Sequence, residues 1–418
     1  DVYKRQETAV ELAYRNNQEL RVALLELERS RATLREARAA LYPTLDSTAQ
    51  VQANNSASAS TNNNPFFGNT DNTTTTASAG LDLNYDLGLS GGRSARIRAA
   101  ESSLRGAELE VERVQSQLRL DTVTDYYAIQ DATAQIAINQ AFLEEAERNL
   151  NDTILREEVG VGTRFDVLRS QVQVANARQN VIRAQSQRQI AQRQLAARLN
   201  VPPSINVDTL PVEIAGTWPL SLEESIVMAY QGRAELEQLL VQRDIAQAQR
   251  QIALSSVRPE VGLFARYNVI QGFSTNLSDF DDGYSLGAQL QWRLFDGGAA
   301  VASAEQSDRD AEIAESNFSR TRNDIRFQVE QAYFNLEANQ ENIDTAQLAV
   351  TQAEEAVELA NLRFNAGVGT QLDVLTATSE LADARGNLVT AILDYNRALA
   401  TLERAVSNVG TGGAPETP

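Results

Sequence analysis

The 418-residue sequence contains neither cysteine nor histidine. No disulfide, thiolate nucleophile or Cys/His metal site is available to it, and the commonest general base is missing. Hydrophobic residues make up only 42% and aromatic residues 6%, which is thin for a compact globular core. No stretch approaches the roughly 18–20 consecutive apolar residues of a transmembrane helix. Any passage through a membrane must therefore be made as a closed barrel. Positive charge is also short, with 37 Lys and Arg against 56 Asp and Glu and a formal net charge of −19. That balance argues against nucleic acid as a partner, because neutralising phosphates needs clustered cations. Nothing near Asp1 has the basic-then-apolar pattern of a signal peptide; an exported protein would have lost that segment, so the observation is neutral.

What the sequence does have is Ala, Gln, Glu, Leu and Arg in long stretches, and it repeats itself. Ala13-Tyr14 followed by Glu19-Leu20 recurs as Ala229-Tyr230 followed by Glu235-Leu236. Pro43 answers to Pro259, Ser90-Gly91-Gly92 to Asp296-Gly297-Gly298, and Tyr126-Tyr127 to Tyr333-Phe334. The clearest pair is Gly160-Val161-Gly162-Thr163-Arg164-Phe165-Asp166-Val167-Leu168 against Gly367-Val368-Gly369-Thr370-Gln371-Leu372-Asp373-Val374-Leu375. The order and near-constant offset predict two copies of one unit, residues 1–200 and 221–407. A linker at 201–220 carries Pro202, Pro203, Pro211 and Pro219, which break any helix. Residues 408–418 read as a disordered tail.

Each unit reads helix, strand, strand, long helix, turn, helix. Strands are expected at about 44–54 and 77–88, and again at about 260–270 and 284–295. Leu45, Ala49, Val51 and Ala53 alternate with Asp46, Thr48, Gln50, Gln52 and Asn54; Leu81, Leu83 and Tyr85 alternate with Asp82, Asn84 and Asp86. In the second unit Val261, Leu263, Ala265, Tyr267 and Val269 oppose Glu260, Gly262, Arg266 and Asn268, with Phe264 an exception. Tyr284, Leu286, Ala288, Leu290, Trp292 and Leu294 then alternate with Ser285, Gly287, Gln289, Gln291 and Arg293. Such alternation matches a barrel strand between lipid and water; a soluble sandwich strand with one wet face is the alternative, but only four strands are expected and nothing else in the chain could cover their apolar faces without leaving the helices bare. The loop at 55–76 is rich in Asn, Ser and Thr, and that at 271–283 carries Asp279, Asp281 and Asp282, which read as solvated charge.

The long helices, at about 94–158 and 299–366, carry a heptad period. Val329, Leu336, Ile343, Val350 and Val357 fall seven apart, with Ala332, Ala346, Ala353 and Ala360 on a second seam position interrupted by Asn339. Ile129, Ile136, Leu143 and Leu150, with Ala132, Asn139 and Ala146, repeat the pattern. Branched residues alternating with Ala permit close coiled-coil packing. A helix of about 65 residues is roughly 100 Å long and needs neighbours along its whole length.

Two readings fit the paired turns. Gly160 and Gly367 suit left-handed helix caps, Thr163 and Thr370 suit N-caps, and Asp166 and Asp373 fall at N3, completing capping boxes. Alternatively, around a symmetry axis the same aspartates would form carboxylate rings that attract cations. Arg164 and Arg169 are near enough in sequence to pair with Asp166.

Taken together, the two repeats, the strand running into Leu294-Phe295-Asp296-Gly297-Gly298 and the Gly-x-Gly-Thr-x-x-Asp-Val-Leu turns resemble the TolC family of outer-membrane efflux proteins over about residues 7–406. The resemblance implies a mainly α fold with a membrane β-barrel portion, and a homotrimer sharing one barrel and a periplasmic α-helical tunnel. It implies passive export without cofactor, metal or catalysis, in the outer membrane of a Gram-negative bacterium, with outer-membrane lipid around the barrel. Partners would be a periplasmic adaptor and an inner-membrane pump of RND, ABC or MFS type, in efflux or type I secretion. Gln50, Gln52, Asp82, Asn84, Gln289 and Gln291 would line the barrel. The tips at Gly160, Gly162, Thr163, Gly367, Gly369 and Thr370 would dock the adaptor. The aperture role falls on Asp373 and, through the internal repeat, on Asp166; Thr376 stands where the family can carry a further aspartate. A non-membrane coiled-coil protein would account for the heptads but not for the four amphipathic strands. A carboxylate-based hydrolase would rest only on acidic residues that lie mostly on exposed helical faces beside Arg.

Overall fold

The computed structural model describes residues 2–55, 73–202, 207–272 and 280–406. The expected tail, Asp279 and most of both strand-to-strand loops lie outside these residues. In chain order the elements are α1 (Val2–Asn16), α2 (Gln18–Ala39), β1 (Thr44–Asn55), β2 (Thr73–Asp86), α3 (Gly92–Glu158), α4 (Arg164–Arg198), α5 (Leu222–Gly232), α6 (Ala234–Ser255), β3 (Glu260–Gly272), β4 (Phe280–Gln291), α7 (Ala299–Asn365) and α8 (Gln371–Val406). They fall into two compact units.

The first unit comprises Asp1–Leu27, Ala107–Gln238 and Asn317–Pro418, and its described part is helical. Along α7, Val329, Leu336 and Ile343 are buried with Ile325 and Ala332 against Tyr395, Ala398, Leu399 and Leu402 of α8. The heptad reading therefore locates a real seam, in which each fully buried aliphatic chain is worth about 1.5–3 kcal/mol relative to exposure. Asn339, the interruption, donates from Nδ2 to the carbonyl of Asp394 at 3.3 Å, so its polarity is satisfied. The described part of the proline-containing connection lacks ladder partners and is held by side chains instead. Asn396 donates to the Glu213 carbonyl (2.8 Å) and accepts from Ala215 N–H (2.8 Å), and Tyr395 Oη donates to the Gly216 carbonyl (2.7 Å).

One local feature differs from the sequence reading: the single helix expected before each pair of strands is broken in two. Asn17 ends α1 and caps α2, its Oδ1 accepting from the N–H groups of Glu19 (2.9 Å) and Leu20 (3.1 Å). Arg233 ends α5 in an extended conformation, φ −89° and ψ 112°. Each break residue also secures a returning helix. Asn17 Nδ2 donates to the Arg198 carbonyl (3.1 Å), and Arg233 Nη1 donates to the Ala405 carbonyl (3.1 Å), serving the orphan acceptors at the ends of α4 and α8. Arg233 and Arg404 both clamp Glu235, at 3.0 and 2.7 Å. Burial alone would push the Glu235 carboxyl up; hydrogen bonds from the two guanidinium groups outweigh it and bring the group down to about 2.

The second unit, Glu28–Gly106 and Leu239–Ser316, carries a four-stranded antiparallel sheet in the order β1-β2-β3-β4. Strand β2 begins at Thr73, four residues before the expected start at 77: Thr73–Thr76 pair with Asn55–Gln52, as suits β-branched residues. The strand expected to reach 295 ends at Gln291.

Candidate functional site: two turns and a two-faced sheet

Between α3 and α4 the chain reverses over Val159–Thr163, and between α7 and α8 over Ala366–Thr370. The two turns have the same construction. Gly160 and Gly367 take φ of +81° and +76°, a left-handed cap that a Cβ would strain. The N–H groups of Val161 and Gly162 both donate to the Arg156 carbonyl, at 2.9 Å, and those of Val368 and Gly369 to the Arg363 carbonyl, at 3.0 Å. That wrap brings Gly162 and Gly369 against the preceding helix, where a Cβ on either would lie 3.0 Å from a backbone nitrogen. One glycine of each pair is needed for its dihedral, the other for clearance.

The outgoing helices start in capping boxes. Thr163 Oγ1 accepts from Asp166 N–H (3.3 Å) while Asp166 Oδ2 accepts from Thr163 N–H (3.2 Å). Thr370 Oγ1 accepts from Asp373 N–H (3.2 Å) and Asp373 Oδ2 from Thr370 N–H (2.8 Å). The Thr370 N–H, then its hydroxyl and the Arg363 charge, hold the Asp373 carboxyl below the usual aspartate value. Both aspartates thus stand in the helix-capping role. Arg164 does not pair with Asp166; it faces Glu157 at 3.6 Å.

A contact set that the sequence reading missed joins the two turns. The guanidinium of Arg156 lies 4.0 Å from the centroid of the Phe364 ring. Gln371 Nε2 donates to Asn149 Oδ1, which also accepts from Ser170 Oγ at 3.3 Å. Ser170 in turn lies 3.2 Å from Thr153 Oγ1, and both hydroxyl residues are buried. Thr153 occupies the seam position that the alanines Ala132 and Ala146 hold, and its counterpart in the second half is Ala360. A hydroxyl in an alanine seam was the available signal. Beside this cluster, Val159, Val161, Phe165 and Val368 expose apolar surface on the turns.

The sheet has one apolar and one polar face, and the register assigns them. Leu45↔Leu83, Leu81↔Tyr267, Tyr85↔Leu263, Ala265↔Leu286 and Val261↔Leu290 meet on one side. On the other, Asp46↔Asp82, Thr44↔Asn84 and Glu260↔Gln291 meet. The polar side is knit by an Arg266–Asp82 ion pair at 2.6 Å and by Gln50, Gln52 and Asn54 in a hydrogen-bonded row. Phe264, out of pattern in sequence, lies opposite Gly287, where its Cζ comes within 2.6 Å of the position a Cβ would take; the ring fills the space the glycine leaves. Arg266 covers it at 5.3 Å from the centroid. At the foot of this side a cleft of about 390 Å³ includes Tyr42, Thr44, Glu260, Phe264, Gln289 and Gln291 in its lining. Among the described residues the apolar side is bare: Leu45 is 66% exposed, Leu286 73% and Leu290 65%. Among the described residues no helix is long and apolar enough to cross a membrane, and no group of His, Cys, Asp or Glu could hold a metal ion.

Comparison with known proteins agrees with this architecture. Solved structures with the same fold include the outer-membrane channel OprN (20% identity, TM-score 0.83, covering 97% of this chain and 90% of that one). The Campylobacter jejuni CmeC outer membrane channel is another (17% identity, TM-score 0.86, covering 96% and 85%). By sequence the chain is 24% identical to the pyoverdine export outer membrane protein OpmQ of Pseudomonas aeruginosa, over 96% of this chain and 84% of that protein. It is 23% identical to the outer membrane protein TolC of Vibrio cholerae, over 89% and 83%. The profile of outer membrane efflux proteins matches twice, at residues 9–201 and 226–408. The chain belongs to the outer membrane efflux protein family.

Proposed function

We propose that three copies of this chain form one export channel, and that residues 1–200 and 221–407 are the two copies of the unit from which each protomer is built. Four strands from each of three protomers give a twelve-stranded barrel in the outer membrane. The helices form the wall of a periplasmic tunnel. The observation that supports this reading is the sheet with an exposed apolar face, a polar opposite face and two edges that are unpaired among the described residues. An open sheet of this kind is stable in neither water nor lipid, and closure with other copies removes both edges. A water-soluble coiled-coil protein would have no use for such a sheet.

In this reading Gln50, Gln52, Asp82, Asn84, Gln289 and Gln291 line a water-filled lumen, and Leu45, Leu286 and Leu290 face lipid. The tips at Gly160–Thr163 and Gly367–Thr370 dock a periplasmic adaptor, which connects the channel to an inner-membrane pump of RND, ABC or MFS type. The exposed Val161, Phe165 and Val368 supply apolar surface for that contact. Cargo is small molecules or protein; among the relatives are a pyoverdine exporter and an alkaline protease secretion protein. Asp373 and Asp166 lie at the aperture, where a capping carboxylate keeps its charge and attracts cations.

Extraction from outer membranes only with detergent, as a stable trimer that conducts in a planar bilayer, supports the channel; a detergent-independent soluble protein sinks it. Asp373→Ala is expected to change single-channel conductance or block by divalent cations while the trimer persists. Unchanged conductance and block would leave Asp373 with its capping role alone.

A further inference from the structure

The polar face of the sheet treats its two ends differently. Toward the far end of β1 the amides of Gln50, Gln52 and Asn54 bond one another, and midway Arg266 pairs with Asp82. At the foot, the cleft of about 390 Å³ has four charged residues in its lining, Asp86, Arg93, Arg96 and Glu260. Two of them are engaged. Arg93 donates from Nη1 to the Asp86 carbonyl at 2.6 Å, and Asp86 Oδ1 accepts from Gly88 N–H at 2.8 Å. The side chains of Arg96 and Glu260 are exposed and have no ion-pair or hydrogen-bond partner among the described residues. Those of Tyr42, Gln289 and Gln291, in the same lining, have none either.

We propose, resting on the channel reading above, that this cleft is a cargo site for small aromatic zwitterions. It takes a carboxylate on Arg96, an ammonium group on Glu260 and a ring against Tyr42 and Phe264.

Three observations lead to that class of guest. The first is the pair of opposite charges that share a cleft without joining. A guest with one charge satisfies one of them; a guest with both satisfies both. The second is the apolar part of the lining, where Tyr42 is 73% exposed and Phe264 half-buried. An aromatic ring finds a stacking partner there, and a cation beside Tyr42 gains from the ring face. The volume lies in the range of roughly 300–1,000 Å³ that small-molecule sites occupy.

The third is a departure from the internal repeat. Ala302 stands where the second half would carry the counterpart of Arg96, and Thr44 stands in the first half where Glu260 stands in the second. The architecture common to both halves therefore requires neither charge, and the combination occurs once in the chain. Exposed ion pairs are also individually weak, which suits a conduit, because a site on a transport route must release what it holds.

Titration calorimetry of the full chain in detergent tests the site with three probes. These are phenylalanine, phenethylamine, which lacks the carboxylate, and 3-phenylpropanoate, which lacks the ammonium group. Phenylalanine is expected to bind about five-fold more tightly than either, the weight of one exposed ion pair. Arg96→Gln is expected to abolish its advantage over phenethylamine and keep that over 3-phenylpropanoate; Glu260→Gln is expected to do the converse. Neither side chain has a partner to lose, so both variants keep the fold. Equal binding of the three probes, no binding of phenylalanine, or variants that leave the ranking unchanged overturn the site. If the same protein conducts in a planar bilayer, the channel reading survives that failure. The crossed pattern in a protein that does not conduct upholds the binding site and removes the channel reading instead.

Discussion

Helices α3 and α7 are each 67 residues long and hold the same place in the repeated order, yet they meet their surroundings differently. Along α3, Leu109, Leu118, Val123, Tyr126, Tyr127 and Ile129 are buried, and Leu155 is the one large hydrophobic exposed among its described residues. Along α7 a single narrow stripe is buried, and Val301, Ile313, Phe327, Phe334, Leu348, Leu359 and Leu362 are exposed. One helix leaves a single large hydrophobic exposed; the other leaves seven. Equivalent sequence positions therefore differ in burial: α3 packs its large hydrophobics within the protomer, and in the proposed trimer the open face of α7 would be surface for another copy. The sharpest case is a repeat-related pair, Tyr127, 2% exposed, and Phe334, 55% exposed.

That pair offers the largest test. Tyr127→Ala empties a filled site and is expected to cost about 3–5 kcal/mol in protomer stability. Phe334→Ala is expected to cost less than about 1 kcal/mol in the protomer, by the smaller burial lost, and to lower the yield of trimer. Chemical denaturation followed by circular dichroism, beside light scattering in detergent, checks both. Equal losses of protomer stability would erase the contrast between α3 and α7.

The middle effect concerns the break residues. Asn17 holds the end of α4 by one neutral hydrogen bond, and Arg233 holds the end of α8 within a charged cluster. Glu235 has its ordinary value of 4.5 lowered to about 2 in the folded chain. Its stabilising contribution is therefore complete above pH 4.5 and is lost as the pH falls toward 2. Glu235→Gln is expected to lower stability at neutral pH and to flatten the acid limb of the stability curve. An unchanged acid limb would show that the cluster does not govern the acid response.

The smallest effects fall at the turns, where the two halves are most alike. Gly160→Ala and Gly367→Ala are each expected to destabilise the turn by about 1–2 kcal/mol, for the left-handed φ alone, seen as faster amide exchange at the flanking residues. Because the two turns share one geometry, the two variants are expected to respond alike. A several-fold difference between them would show that the contacts around Asn149 and Phe364 distribute strain unequally.

The architecture was legible in sequence where a local rule acts alone. Strand faces follow from alternation, the seam of α7 from heptads, and the caps from glycine and threonine spacing. Legibility ended where a residue's role depends on a neighbour brought in by the fold. Nothing in the run around Asn17 or Arg233 marks a helix break, because the gain comes from carbonyls some 170–180 residues away in sequence. Phe264 looked like an error of pattern until Gly287 was found opposite it. The link between Gln371 and Asn149 was hidden for the same reason, since it joins the starts and ends of different hairpins.

If the channel closes as proposed, the two sheet edges left unpaired among the described residues also govern when the channel comes to exist. In the proposed trimeric channel the sheet of each protomer would stay an adhesive intermediate until other copies arrive. Barrel formation in that reading is a reaction of high molecularity, whose rate would fall steeply as the supply of protomers falls. Below some level of synthesis such a channel would accumulate as unfinished thirds rather than as fewer whole pores.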